Sequence, residues 1–183
     1  MPRVELHTPE STVGRAHDVL TDLWERHGGQ VGPMTRAMGG SPSVLTGYLD
    51  LSRAMRRTKL RRPITERISL AVQEQLGCAT CLAAHTAAAR EVGVSEQEIA
   101  LARQGTSSDP AVAAIVGFAR QVHTDPAGID DDAVAALRSH GYRERDVLDV
   151  VGLVALNVLT GTFNLVAGIE PDEPARLAAS LAS

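Results

Sequence analysis

The residues of this chain that could do chemistry together fall between Glu66 and His85, in the stretch ERISLAVQEQLGCATCLAAH. It holds both cysteines of the protein, Cys78 and Cys81, set three apart directly after Gly77 and at the head of a helix-forming run. A helix N-terminus offers unpaired N–H groups and a partial positive charge, and both favour a thiolate over a thiol. His85 follows Cys81 by four residues, so one continuous helix would carry Cys78, Cys81 and His85 on one face. Glu66 belongs to the preceding helical stretch and joins them only if the two helices pack side by side.

A dithiol with an imidazole one turn away is equipped to reduce an electrophilic O–O or S–S bond. The attacking sulfur must be ionised, and a free thiol with a pKa of about 8.5 is mostly protonated at neutral pH. His85 can take that proton, and Glu66 can orient the ring and stabilise its charged form. Cys81, at i to i+4 from His85, is expected to attack; Cys78, expected to be the more exposed at the helix start, resolves. Attack on a hydroperoxide leaves Cys81 as a sulfenic acid, which Cys78 condenses with to give a disulfide, and an external dithiol regenerates the pair by exchange. The same residues admit a dithiol electron carrier or redox-sensing module that exchanges disulfides with a protein partner. They also admit a non-redox helical binding or assembly protein in which the cysteines and His85 are packing residues. Zinc normally takes four ligands, and no second ligand pair accompanies Cys78, Cys81 and His85, so neither a metal nor another cofactor is expected.

The elements that must position this site read as helices throughout; no alternating strand pattern bounded by turns is present. Residues 1–10 show no period and are expected to form an extended arm. Ser11 or Thr12 opens a helix with Val13, Ala16, Val19, Leu20, Leu23 and Trp24 at helical spacing, His17 and His27 facing solvent, and a stop at Gly28–Gly29. A short segment, 31–38, leads to Ser41–Pro42, a cap and first-turn proline for the next helix. Residues 53–62, RAMRRTKLRR, carry six bases in ten and read as a solvated helix end that could border the site and attract an acidic substrate or partner. Pro63 restarts a helix up to Gly77, and the cysteine helix runs from Cys78 to Glu91 before Gly93. Ser95 with Glu98 reads as a capping box for a helix stopped at Gly105. Asp109–Pro110 opens a helix with Val112, Ile115, Val116, Ala119 and Val122 as its stripe, and Asp130, Asp131 and Asp132 cap the next, through Val134 and Leu137. The longest helix, Arg143 to Gly168, is apolar nearly all round and is expected at the centre of the bundle or between subunits. Its polar line, Asn157, Thr160 and Asn164, reads as paired core amides, an oligomer contact or one wall of a substrate pocket. Residues 170–183 read as a short terminal helix. ERISLAV at Glu66 is echoed by ERDVLDVV at Glu144, the trace of a possible duplicated helix pair.

Composition agrees with an all-α, single helical domain spanning 1–183, with the redox core at 66–105. With 44% hydrophobic but 3% aromatic residues, core volume must come from Ala, Leu and Val, which suits closely packed helices. The net charge of −4, from 18 basic and 22 acidic residues, sets up no overall field for nucleic acid. The N-terminus has no signal-peptide pattern, and no unbroken apolar run reaches the eighteen or so residues that span a bilayer. A cytoplasmic location is therefore expected, where a CxxC pair is more often redox-active or metal-binding than a structural disulfide.

Glu, eleven residues, CxxC, three residues, His, with a glycine before the first cysteine and an alanine-rich continuation, resembles the alkyl hydroperoxidase D (AhpD)-like members of the carboxymuconolactone decarboxylase family. The resemblance is strongest from Glu66 to about Gly105. It implies an all-α AhpD-like fold, assembly into trimers or hexamers, and peroxidase activity without haem or metal, with a protein or lipoyl dithiol as reductant. It further implies that Glu66 and His85 form a proton relay, that Cys81 is the peroxidatic thiol, and that Cys78 is the resolving thiol and proton donor. One departure is plain: alkyl hydroperoxidase D has a second histidine immediately before the second cysteine, where this chain has Thr80, so a hydroxyl or a water must replace that imidazole. The decarboxylase branch does not rely on a cysteine pair, so its presence here argues against lactone decarboxylation.

Overall fold

The structure, a computed structural model, describes residues 1–171. Among these, every regular element is helical, which is the all-α class expected. The order is α1 (Gly14–Arg26), α2 (Pro33–Met38), α3 (Pro42–Met55), α4 (Arg62–Leu76), α5 (Ala79–Glu91), α6 (Glu96–Arg103), α7 (Pro110–Thr124), α8 (Asp131–Ser139) and α9 (Glu144–Ala167), with 3-10 turns at Pro9–Ser11 and Pro126–Gly128.

The helix that the others pack around is α4, which touches α5, α6, α7 and α9. Its sequence explains this. Pro63 sits in the first turn, no glycine or proline interrupts the interior, and Ile64, Ile68, Leu70, Ala71 and Val72 are buried on opposite sides. Ile68 and Val72 enter one core with Ile115 and Val116 of α7 and Val150 and Leu153 of α9. Leu70 enters a second core with Ala89 of α5 and Ile99 and Ala102 of α6. Each such fully buried aliphatic side chain contributes roughly 1.5–3 kcal/mol relative to exposure.

The long apolar helix α9 is only partly enclosed by the chain's own helices. It packs on α3, α4 and α7, while Leu148, Val151, Leu165 and Val166 remain 42–67% exposed. By length and composition alone α9 is long and apolar enough to cross a membrane, with a mean hydropathy of 1.9. Counting unbroken apolar residues missed this because Asn157, Thr160 and Asn164 interrupt the run. The ERxxL echo does not mark equivalent places either: Glu66 lies four residues into α4, whereas Glu144 opens α9.

Several caps fall where the side chains demand them. Ser41 Oγ accepts the Val44 N–H at 3.5 Å, Asp109 accepts those of Ala111 and Val112 at 2.8 and 3.2 Å, and Asp130 accepts that of Ala133 at 2.9 Å. At α6 only half of the expected box forms. Ser95 Oγ accepts the Glu98 N–H at 3.3 Å, but the Glu98 carboxylate takes Ser107 Oγ at 2.6 Å and Arg67 at 3.2 Å instead of returning to Ser95. A hydroxyl and a guanidinium out-compete one backbone N–H. At the other end α1 starts at Gly14, later than Ser11 or Thr12, because Pro9–Ser11 is held as a 3-10 turn by Thr8. Val13 is consequently 87% exposed rather than part of the core. His17 and His27 are exposed, as expected. The N-terminal arm lies on the end of α9: the Arg3 N–H donates to Ala167 O at 2.7 Å and its guanidinium to Leu165 O at 2.7 Å. The expected terminal helix lies, beyond Pro171, outside the described residues.

Candidate active site

Gly77 ends α4 in the left-handed region, at φ +69° and ψ 26°, a conformation glycine adopts without the usual steric cost. The chain reverses there, so α5 packs back along α4. Cys78 becomes the N-cap of α5, which begins at Ala79, and its Sγ accepts the Cys81 N–H at 3.3 Å. Turning inward to make that bond leaves Cys78 1% exposed and Cys81 6%. This corrects the expectation that Cys78 is the more accessible thiol. The two sulfurs are joined in a disulfide.

Side-by-side packing of α4 and α5 delivers the contact that sequence could state only as a condition. Glu66 Oε2 and His85 Nδ1 lie 2.8 Å apart, and Arg62 Nε donates to Glu66 Oε1 at 3.4 Å. Burial pushes the Glu66 carboxyl up, but the hydrogen bond and charge of His85, with those of Arg62, outweigh it and hold the group below the ordinary carboxylate range. An ionised Glu66 places the ring proton on Nδ1 and leaves Nε2 as the basic nitrogen.

Cys81 and His85 line a cavity of about 870 Å³ together with Glu66 and Thr80. Cys78 is not part of its wall, so the face expected to carry three reactive groups carries two, with the second sulfur behind. Asn157, Thr160 and Asn164 of α9 form another side of the cavity. Two expectations for that polar line meet here. Asn157, 3% exposed, is a paired core amide: its Nδ2 donates to Ser69 Oγ at 3.1 Å and Leu153 O at 2.9 Å, and its Oδ1 accepts Gln73 Nε2 at 3.0 Å. Asn164, 5% exposed, serves the sulfur, donating from Nδ2 to Cys81 Sγ at 3.3 Å, while its Oδ1 has no partner among the described residues.

Thr80, between the two cysteines, donates its hydroxyl proton to Ile169 O at 2.7 Å. It therefore ties the cysteine turn to the segment after α9, and its proton is committed there. The basic segment does border the cavity, through Arg56 and Arg62. Sequence reading missed that Tyr48, Ser52 and Arg56, at i, i+4 and i+8 on α3, also line it. The signal was their spacing of four, which sets Tyr48, Ser52 and Arg56 on one side of a helix. Among the described residues, no group of three or more His, Cys, Asp or Glu could hold a metal ion.

A sequence profile of the carboxymuconolactone decarboxylase family matches residues 42–124. No curated protein matches the chain by sequence. Among solved structures, the chain is similar to the AhpD core of an uncharacterized peroxidase-related protein from Ralstonia eutropha, with a TM-score of 0.81 at 18% identity over 96% of this chain and 95% of that one. It is also similar to the debrominase Bmp8 in complex with 2,3,4-tribromopyrrole, with a TM-score of 0.74 at 16% identity over all of both chains. A further peroxidase-related protein, from Silicibacter sp., gives 0.76 at 18% identity over 96% of this chain and 97% of that one. Residues 42–124 thus match the carboxymuconolactone decarboxylase family model, and the chain, with its CxxC disulfide, has an all-helical fold similar to the AhpD core.

Proposed function

We propose that the chain is a thiol-dependent peroxidase that reduces organic hydroperoxides through a dithiol–disulfide cycle. The observation that carries this reading is the 2.8 Å contact between Glu66 and His85 one turn beyond Cys81, with all three on the wall of one cavity. In the reduced protein His85 Nε2 accepts the Cys81 proton, directly or through a water, and Glu66 balances the resulting imidazolium. The Cys81 thiolate attacks the distal peroxide oxygen, the O–O bond breaks, and the alkoxide leaves with the proton that His85 held. Cys81 is now a sulfenic acid, oxidised by two electrons. The Cys78 sulfur attacks it, hydroxide leaves with the Cys78 proton as water, and the disulfide forms. An external dithiol returns two electrons by exchange. Asn164 supports the cycle by directing an N–H at the sulfur that alternates between anion and neutral forms. No imidazole serves Cys78; its sulfur is favoured as an anion by the α5 N-terminus that it caps.

The test is single-turnover loss of free thiols in the reduced protein on adding cumene hydroperoxide. Rapid loss in the wild type, abolished in Cys81→Ser and slowed in His85→Ala, supports the peroxidase. Thiols that persist toward peroxide yet exchange quickly with a dithiol protein would assign the pair to electron transfer instead.

A further inference from the structure

The cavity is far larger than a small peroxide needs. At about 870 Å³ it lies near the top of the roughly 300–1,000 Å³ range that encloses drug-sized ligands. Met34, Met55, Leu60, Leu153, Leu156 and Ile169 give it apolar walls. One helix face interrupts them with polar groups: Tyr48, Ser52 and Arg56 occupy successive turns of α3 and its C-terminal end, and all three line the same cavity as Cys81. The Arg56 guanidinium has no hydrogen bond or ion pair among the described residues, whereas Arg62 is engaged by Glu66 and Glu91. A cation at a helix C-terminus is favourable in itself, but Arg57 next door meets that need without lining the cavity, whereas Arg56, also exposed, stands at its rim. The lining guanidiniums, Arg56 and Arg62, outnumber the one lining carboxylate, Glu66. Arg57, Lys59 and Arg61 lie exposed around them, against the overall charge of −4. The local field therefore opposes the net charge and draws anions to this opening.

Building on the peroxidase reading, we propose that Tyr48, Ser52 and Arg56 form an anion subsite, and that the substrate is a bulky apolar hydroperoxide bearing a carboxylate remote from its peroxy group. Arg56 takes the carboxylate in a two-pronged contact, the hydroxyls of Ser52 and Tyr48 complete the row, and the apolar walls hold the chain between there and Cys81. The reaction is the one above; the subsite supplies positioning alone.

The experiment compares linoleic acid hydroperoxide with its methyl ester, which differ only in the charge. In the reduced wild type, Cys81 should be oxidised at least tenfold faster by the acid at low salt. Arg56→Gln should bring the acid down to the rate of the ester while leaving the ester unchanged, and Arg56→Lys should retain part of the preference. Equal rates for acid and ester in the wild type, or an equal loss on both in Arg56→Gln, overturns the subsite. Calorimetric binding of linoleate, which has no peroxy group, separates the two claims. Binding that Arg56→Gln weakens about tenfold upholds the subsite even if neither hydroperoxide oxidises Cys81, in which case only the peroxidase reading falls. Failure of linoleate to bind overturns the subsite whatever the peroxide chemistry shows.

Discussion

Asn164→Ala isolates the amide that touches the sulfur. The Asn164 Nδ2 donor lies 3.3 Å from Cys81 Sγ in a setting only 5% exposed. After reduction and ionisation of Cys81 the same N–H faces an anion. A hydrogen bond to a charged acceptor contributes about 1.5–3 kcal/mol, and each pKa unit corresponds to about 1.36 kcal/mol. Sulfur is a diffuse acceptor and the contact is long, so the lower end applies and loss of the donor should raise the Cys81 pKa by roughly one unit. The measurement is ultraviolet thiolate absorbance against pH in a Cys78→Ser background, where one sulfur titrates and a serine hydroxyl keeps the α5 cap. Asn164→Asp should raise the value further, since a carboxylate then stands beside the thiolate. The melting temperature of Asn164→Ala should change little, because Oδ1 has no partner among the described residues to lose. An unchanged titration in Asn164→Ala would show that the amide is mere packing and would remove it from the mechanism.

Three other outcomes are expected. A Cβ on Gly161 would stand 2.5 Å from Gln73 Oε1 and 2.7 Å from Leu76 Cδ1; Gly161→Ala should therefore cost about 1–3 kcal/mol and lower the melting point by roughly 3–10 °C, and an unshifted melt would contradict this close approach of α4 and α9. Glu66 is held below the ordinary carboxylate range, so it contributes stability that is present above its unfolded value and lost as pH falls through the folded one. The unfolding free-energy difference between wild type and Glu66→Gln should accordingly shrink as pH falls below about 5, and a gap independent of pH would sink the linkage. We also propose that a second copy of the chain covers the exposed face of α9, where Leu148, Val151, Leu165 and Val166 lie; light scattering should give a multiple of the 19.4 kDa chain mass for the wild type and the single mass for Leu148→Lys with Val166→Lys, whereas a monomeric wild type refutes the assembly.

Much of this was readable in the chain because it is local. Asp109 and Asp130 announce helix starts, Gly77 and Gly168 announce stops, and the four-residue step from Cys81 to His85 needs only one helix to be meaningful. What escaped reading depends on direction and partner. The spacing of Cys78 does not reveal that its sulfur turns back onto its own helix and is buried there. In sequence Glu98 stands nearest Ser95, but Ser107 and Arg67 reach it through the fold. Tyr48 reads in sequence with the apolar residues of its helix and Arg56 with the basic segment 53–62, since nothing on α3 tells which neighbours will stand across a cavity from it. Asn164 was noticed as polar in an apolar helix, yet its meaning rests on a contact across 83 residues of sequence.

The hold of Arg3 on the end of α9 bears on how the molecule is made. The cysteine turn is complete once α4 and α5 have emerged from the ribosome, but Asn164 and Ile169, which meet it through Cys81 and Thr80, follow only with α9 and the segment after it, and Arg3 holds the neighbouring carbonyls of Leu165, Val166 and Ala167 only then. A nascent chain that stops before α9 thus presents both sulfurs without their shelter, open to any passing oxidant. Control over what the thiols meet therefore waits for α9, and the contact that Arg3 adds joins segments 162 residues apart.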